Sequence, residues 1–250
     1  MEFIKTTYKS TTERLAALLE RHEITYDCLW ALFKPNAIIY TACDGTCKSR
    51  GVKFDFGEER KRTNGTEYFY MGCRYLDSDG KVFGEVSTAL GIEKFRGSKP
   101  ISSLKAFPLS YHPKEKEMRV YLERCGRKFL SLMNVHHCEY RGMAFIVKKN
   151  RPIKIFVNSR IMVDAAYFRE ANPNYARPSI DESNKNSSNN DWVLWGEKDS
   201  SEKLPDVVKS NGMEPANVEG DGLLICSPTV LGFSLGIKLW RRFLSYLKIV

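Results

Sequence analysis

No window of about 18 uncharged apolar residues occurs in this chain, so no transmembrane helix is expected. Residues Met1 to Lys9 carry Lys5 and Lys9 but no apolar run long enough for a secretory signal. The seven cysteines, at 28, 43, 47, 73, 125, 138 and 226, are odd in number and scattered. Reduced thiols follow, in an intracellular protein, cytoplasmic or nuclear, that is not secreted. No G-x-x-x-x-G-K-[ST] loop is present, and Gly45-Thr46 and Gly97-Ser98-Lys99 are too sparse to replace it. No G-x-G-x-x-G follows a strand. Direct binding of ATP or a dinucleotide by this chain therefore has no support, and no cofactor is expected. No internal repeat is visible.

What is present is a sizeable core supply and an uneven charge. The hydrophobic content is 42% and the aromatic content 12%, enough for one large domain or one domain with extensions. The net charge of +9 is concentrated. Residues 1–90 are neutral overall, and residues 91–177 hold 18 basic and 7 acidic residues, net +11. Residues 178–222 are net −6, and residues 223–250 net +4. A basic surface fits an anionic partner. An acidic tether folded back over the basic block accounts for the same pattern.

Local signals divide the chain. Residues 1–24 read as an N-terminal amphipathic helix, with Leu15, Leu18, Leu19 and His22 on one face. Residues 25–177 read as a β-rich globular domain. It opens with two β-rich runs, CLWALF and AIIYT, around Lys34-Pro35-Asn36-Ala37. An antiparallel meander follows over 50–90, turning at Asn64-Gly65 and at Asp77-Ser78-Asp79-Gly80. Lys114 to Met133 is the central amphipathic helix. Its buried stripe is Met118, Tyr121, Leu122, Cys125, Phe129, Leu132 and Met133, and Gly126 costs it about 1 kcal/mol relative to Ala. Met143 to Val147 and Ile153 to Val157 pair around Asn150-Arg151-Pro152, and Asn158 to Phe168 is a strand ending in a short helix. Residues 178–222 form an acidic, partly disordered tether, with Trp192 and Trp195 as short anchors. Residues 223–240 return to apolar sequence as a core-completing strand, and residues 241–250 form a basic tail with Trp240, Phe243, Leu244 and Leu247 on one helical face. The expected class is α+β, antiparallel and strand-rich, a meander or partly open barrel.

Few residues suggest chemistry. Cys43, Cys47, Cys73, His136, His137 and Cys138 lack the second close ligand pair of a structural zinc site, and a turn on Asp44-Gly45 is the simpler reading. His137 and Cys138 are adjacent on a strand and point to opposite faces, so they do not form a nucleophile pair. Asp164, in RIMVDAAYF, reads as a helix N-cap in preference to a catalytic acid or a partner of Arg160 or Arg169. No metal ligand and no catalytic residue is assigned. The candidate anion- or partner-binding positions are Arg96, Lys99, Arg124, Arg127, Lys128, Arg141, Lys148, Lys149 and Arg151. Interleaved with Phe95, Phe107, Tyr140 and Phe145, basic residues of this block would bind single-stranded nucleic acid, although such aromatics more often serve the core.

Six stretches occur in an order that resembles a known family. They are Ile24 to Asn36, Tyr75 to Lys99, Leu104 to Pro113, Arg127 to Phe145, Ser159 to Tyr175 and Leu223 to Trp240. The resemblance is to the uncharacterised N-terminal domain that precedes the motor in a group of fungal AAA-type ATPases. It implies a non-catalytic accessory domain that recruits partners or substrates or regulates the ATPase. ATP and Mg²⁺ would belong to the AAA+ module, whose motifs are absent here. Family members tend to have Gly-Asp-Lys-Leu-Trp where this chain has Gly236-Ile237-Lys238-Leu239-Trp240 followed by RRFLSYLKIV. This departure implies a truncated, mis-spliced or frame-shifted end, with Arg241 to Val250 poorly packed. The alternative function is a stand-alone nucleic-acid or anionic-ligand binder using residues 91–177.

Overall fold

The computed structural model describes residues 12–43, 46–148, 151–175 and 214–245, without the side chains of Lys148 and Arg151. The tether's Trp192 and Trp195, the turn residues Asp44, Gly45 and Asn150, and Leu247 fall outside the described residues.

Helix α1 covers residues 12–20. Leu18 is buried, and Leu15 and Leu19 pack against the same apolar cluster. His22 leaves that face. It adopts a left-handed backbone, φ 55°, and meets Tyr111 edge-on at 5.7 Å. Strand β1 is Glu23–Thr25. The next segment departs from expectation: the CLWALF run is helical, with a 3-10 turn at Tyr26–Cys28 and α2 at Leu29–Leu32. Cys28, Leu29, Leu32 and Phe33 are buried while Trp30 is 61% exposed, a helical spacing. A short apolar run does not reveal its period, and burial on one side only decided this one.

Strands β2 (Ile38–Ala42), β3 (Ser49–Lys61), β4 (Glu67–Ser78), β5 (Phe83–Glu93), β6 (Ser98–Pro100) and β7 (Ala106–Pro108) follow. The sheet order is β5-β4-β3-β2-β7, every pairing antiparallel, and β1 pairs separately with β6. Both expected hairpin turns are present. Asn64 Oδ1 accepts from the Thr66 amide at 3.0 Å. Asp79 Oδ1 accepts from Lys81 and Val82 at 2.9 and 2.8 Å, with Gly80 at φ 96°. Asx acceptors of this kind fix a turn without help from the sheet.

Helix α3 (Glu115–Ser131) carries the expected stripe inward. Leu122, Cys125, Phe129 and Leu132 are buried, and Met118, Tyr121 and Met133 pack at the rim. Strands β8 (His136–Lys148) and β9 (Arg151–Val163) form a long hairpin leading into α4 (Ala165–Ala171). The chain is described again from Glu214, through α5 (Asp221–Leu224), β10 (Thr229–Ser234) and β11 (Leu239–Leu244). Strands β8, β9, β10 and β11 close a four-stranded barrel, the β11–β8 seam meeting at Arg242 and Phe145.

One apolar cluster lies between the sheet, α1 and α2, with Ile24, Leu29, Val52, Met71 and Phe107 at its centre. The other joins the sheet's opposite side to α3, α5 and the barrel, through Leu76, Phe129, Val157, Leu223 and Phe243. The architecture is α+β and strand-rich, as its pattern predicts.

The C-terminal expectations need revision. Leu223 and Leu224 close the short helix α5 and are not a strand, although they are buried in the core as expected. The tether boundary at 222 therefore cuts α5. At Cys226 the chain joins the sheet beside Leu76 by a parallel bridge. The Leu76 amide donates to Ile225 O at 2.9 Å and the Ser227 amide to Leu76 O at 2.7 Å. The first five residues of the supposed loose tail are also well packed. Arg241 to Leu244 lie in β11, and Phe243, Leu244 and Ser245 are at most 2% exposed. Strand alternation, with Phe243 inward opposite Val230, replaces the helical face expected there.

Candidate functional site

The eight described members of the nine basic positions fall in three separate regions. Arg96 and Lys99 are exposed at the β5–β6 side, Lys99 lying 4.7 Å over the Phe95 ring. Arg124, Arg127 and Lys128 belong to α3. There Arg124 lies 5.8 Å from the Tyr121 ring, and Arg127 is engaged by Glu123 at 2.6 Å. Arg141 is exposed on β8, and Lys148 pairs with Arg151 in the backbone ladder at the end where β8 leads into β9. Lys149 is outside the described residues.

The other candidates take structural places. Asp164 caps α4, its Oδ1 accepting from the Tyr167 amide at 2.8 Å. His137 is exposed while Cys138 is buried, on opposite faces of β8. A ring nitrogen of His136 contacts Met133 O at 2.7 Å. Cys43 and Cys47 close a turn through Cys47 N to Cys43 O at 2.7 Å, and Cys73 and Cys138 lie in different apolar clusters. Among the described residues, no group of three or more His, Cys, Asp or Glu side chains is placed to share a metal ion.

The charged centre that the fold builds is elsewhere. Asp77, near the end of β4, is 4% exposed. Its Oδ1 accepts from the Ser78 amide at 2.9 Å, and its Oδ2 faces Arg242 Nη1 at 3.9 Å. Arg242 projects from β11 toward the sheet and donates to Thr229 Oγ1 and to the Tyr175 hydroxyl, each at 3.3 Å. Arg169, on α4, is 5% exposed and stands 5.9 Å from the Tyr175 ring, as does Arg242. Tyr175 thus contacts two guanidiniums. Burial pushes the Asp77 carboxyl above the usual range, while the Arg242 guanidinium, the Ser78 amide, Arg50 and Arg169 oppose that rise. Burial alone would depress Arg242, but Asp77 and the Tyr175 and Tyr75 phenols reverse this and keep it charged. Arg169 is lowered, first by burial and then by repulsion from Arg242.

Beside this centre a cleft of about 190 Å³ lies between the sheet and the barrel. The sheet contributes Thr41, Cys43, Arg50, Tyr75, Thr88 and Leu90, and the barrel side Phe145, Val147, Ser227, Thr229 and Arg242. Arg50 stacks on Tyr75 at 3.8 Å, and its Nε has no hydrogen-bond partner. Among the described residues, no carboxylate, imidazole or lysine lines the cleft. A second cavity of about 150 Å³ includes Asp77 and Asp164, and shares Thr229 and Arg242 with the first. Water needs only some 10–15 Å³ of such space, so either cavity has room for a small organic molecule.

In the sequence, Asp77 reads only as a turn residue, and Arg50 and Arg242 only as surface charges. The available signal was a charge inside an apolar run: Asp77 in YLDS and Arg242 in RRFL.

Residues 14–113 match the model of a domain of unknown function, DUF7025. The matched segment contains α1, the whole five-stranded sheet and the sheet side of the cleft, and stops before α3. No curated protein matches the chain, and no solved structure does.

Proposed function

We propose that this chain is a non-catalytic accessory domain that binds an anionic group in the cleft between its sheet and its barrel. In an intact protein it would recruit a partner or substrate for an AAA+ ATPase module, or regulate that module, as the resemblance implies. ATP and Mg²⁺ would be handled there. The observation that carries the reading is the cleft lining: two guanidiniums, Arg50 and Arg242, with the hydroxyl-bearing Tyr75, Thr88 and Thr229. Donors of that kind recognise anions. Among the described lining residues there is no carboxylate or imidazole to act as a general base of the usual kind, which favours binding over turnover.

Two measurements test it. Purified chain should hydrolyse no ATP, and measurable turnover overturns the non-catalytic reading. Anions should raise the melting temperature of the chain, and Arg50→Gln should diminish that rise. An unchanged rise in the variant removes the cleft from the proposal.

A second reading is favoured by the exposure of Arg96, Lys99, Arg124 and Arg141 in the net +11 block. There the chain binds nucleic acid through phosphate contacts, and affinity falls steeply with salt. Probes of single- and double-stranded DNA and RNA at two salt concentrations separate the readings. Silence at low salt eliminates this one.

A further inference from the structure

The guanidiniums around the cleft differ in whether a carboxylate faces them, and that difference points to the ligand. Arg242 faces Asp77, and Arg169 is held by the charges of Asp77 and Asp79. Arg50 is the remaining guanidinium. It stands on the Tyr75 ring with its Nε unsatisfied, and it lines the cleft where the sheet meets the barrel. Asp55, on the same strand, is engaged by Arg74, and Glu85 accepts from the same guanidinium at 3.1 Å. Arg50 is the lining guanidinium that no described carboxylate meets at ion-pair distance, and in a partly closed, low-dielectric space one negative charge matches it locally. A dianion would leave excess charge desolvated. The rest of the lining is largely apolar: Ala42, Ala89, Leu90, Phe145, Val147, Pro152 and Pro228. Such a wall favours an organic body over a bare inorganic ion.

Resting on the anion-binding reading above, we infer that the cleft takes a monocarboxylate with a small apolar body. Its carboxylate sits on Arg50, with Thr88 and Thr229 on the same lining. Its hydrocarbon lies against Leu90, Phe145 and Val147. This chemistry is found in free aliphatic or aromatic acids and at the carboxyl terminus of a peptide that ends in an apolar residue.

Titration calorimetry on the full chain tests this with hexanoate, acetate, hexanol and inorganic phosphate. Two tetrapeptides ending in leucine, one with a free carboxylate and one amidated, distinguish the sources. Hexanoate or the free-acid peptide should bind at least tenfold more tightly than acetate, in keeping with the added buried methylenes. Hexanol and the amidated peptide should bind weakly or not at all. Arg50→Gln should weaken hexanoate about tenfold. Leu90→Asp should weaken hexanoate, with circular dichroism and melting temperature confirming that both variants fold. Phosphate binding that exceeds hexanoate and depends on Arg50 keeps the anion site and overturns the monocarboxylate. Equal affinity for acetate and hexanoate overturns the apolar body. Binding of none of the ligands overturns the anion site itself. Binding that Arg50→Gln leaves unchanged places the ligand outside the cleft and overturns both.

Discussion

Gly126 of α3 lies directly against the carbonyl of Leu223: a Cβ built at Gly126 falls 2.2 Å from Leu223 O. On the other side of α5, a Cβ at Gly51 of β3 would fall 2.3 Å from Leu224 O. Two glycines in sequence-distant elements thus let a one-turn helix enter the core between helix and sheet. The apparent weakness of Gly126 in a helix is a packing requirement.

Gly126→Ala should destabilise the protein by up to about 2 kcal/mol, because overpacking against backbone costs about 1–3 kcal/mol and only roughly 1 kcal/mol is regained in helix propensity. Urea unfolding measures it. A more stable variant would show that α5 moves away at little cost.

Asp77→Asn should cost about 3 kcal/mol, since it strands a buried guanidinium. Arg242→Met leaves Asp77, which escapes by taking up a proton. Its folded pKa is already raised by burial and loses the opposition of Arg242. A carboxyl with a raised folded pKa contributes most below its unfolded value, near 4, and that contribution is lost as pH rises through the folded value. The deficit of Arg242→Met should therefore be smaller at pH 5 than at pH 8. Denaturant unfolding at the two values measures it, and equal deficits would mean that Asp77 is not the group left uncompensated.

Cys73 and Cys226 are pushed up to about 12 by burial. Their unfolded values are about 8.5. Below that pH both states are neutral. Above it the unfolded state ionises first, so stability falls between about 8.5 and 12, by up to roughly 1.4 kcal/mol per pH unit for each thiol. In the native state at pH 8, the exposed Cys47 should react with a disulfide reagent well before Cys73 or Cys226. Mass spectrometry of the labelled chain identifies the order.

Asp164→Ala removes the cap of α4 and should cost about 1 kcal/mol. Hexanoate affinity should not change, since Asp164 does not line the carboxylate cleft. Loss of binding would mean that the second cavity is the ligand site.

What the sequence made legible was set by local chemistry. Asn64-Gly65, Asp79-Gly80 and the Asp164 cap each satisfy their own backbone within three residues, so tertiary context does not alter them. The stripe on α3 is long enough to declare its period. Residues 28–33 and 223–226 are short, wholly apolar runs, and their conformation is chosen by what surrounds them. Arg241 and Arg242 looked like the polar face of a helix, because nothing local indicates that Asp77 and Tyr175 wait across a strand. The cleft was illegible for the same reason: residues from β2, β3, β4, β5, β8 and the segment before β10 meet only after both sheets form.

The bridge between Leu76 and Cys226 has a kinetic consequence. The meander from β3 to β5 can form from neighbouring sequence. The barrel must wait for β10 and β11 to cross a long intervening segment, and Cys226 can join β4 only when they arrive. Closure of that loop carries an entropic cost before any contact rewards it. Folding should therefore have two stages, an early sheet and a slower sealing. In pulse-labelled hydrogen exchange, the amides of residues 68–75 would gain protection before those of Leu76, Ser227 and residues 229–234. Simultaneous protection would instead make the whole molecule one cooperative unit.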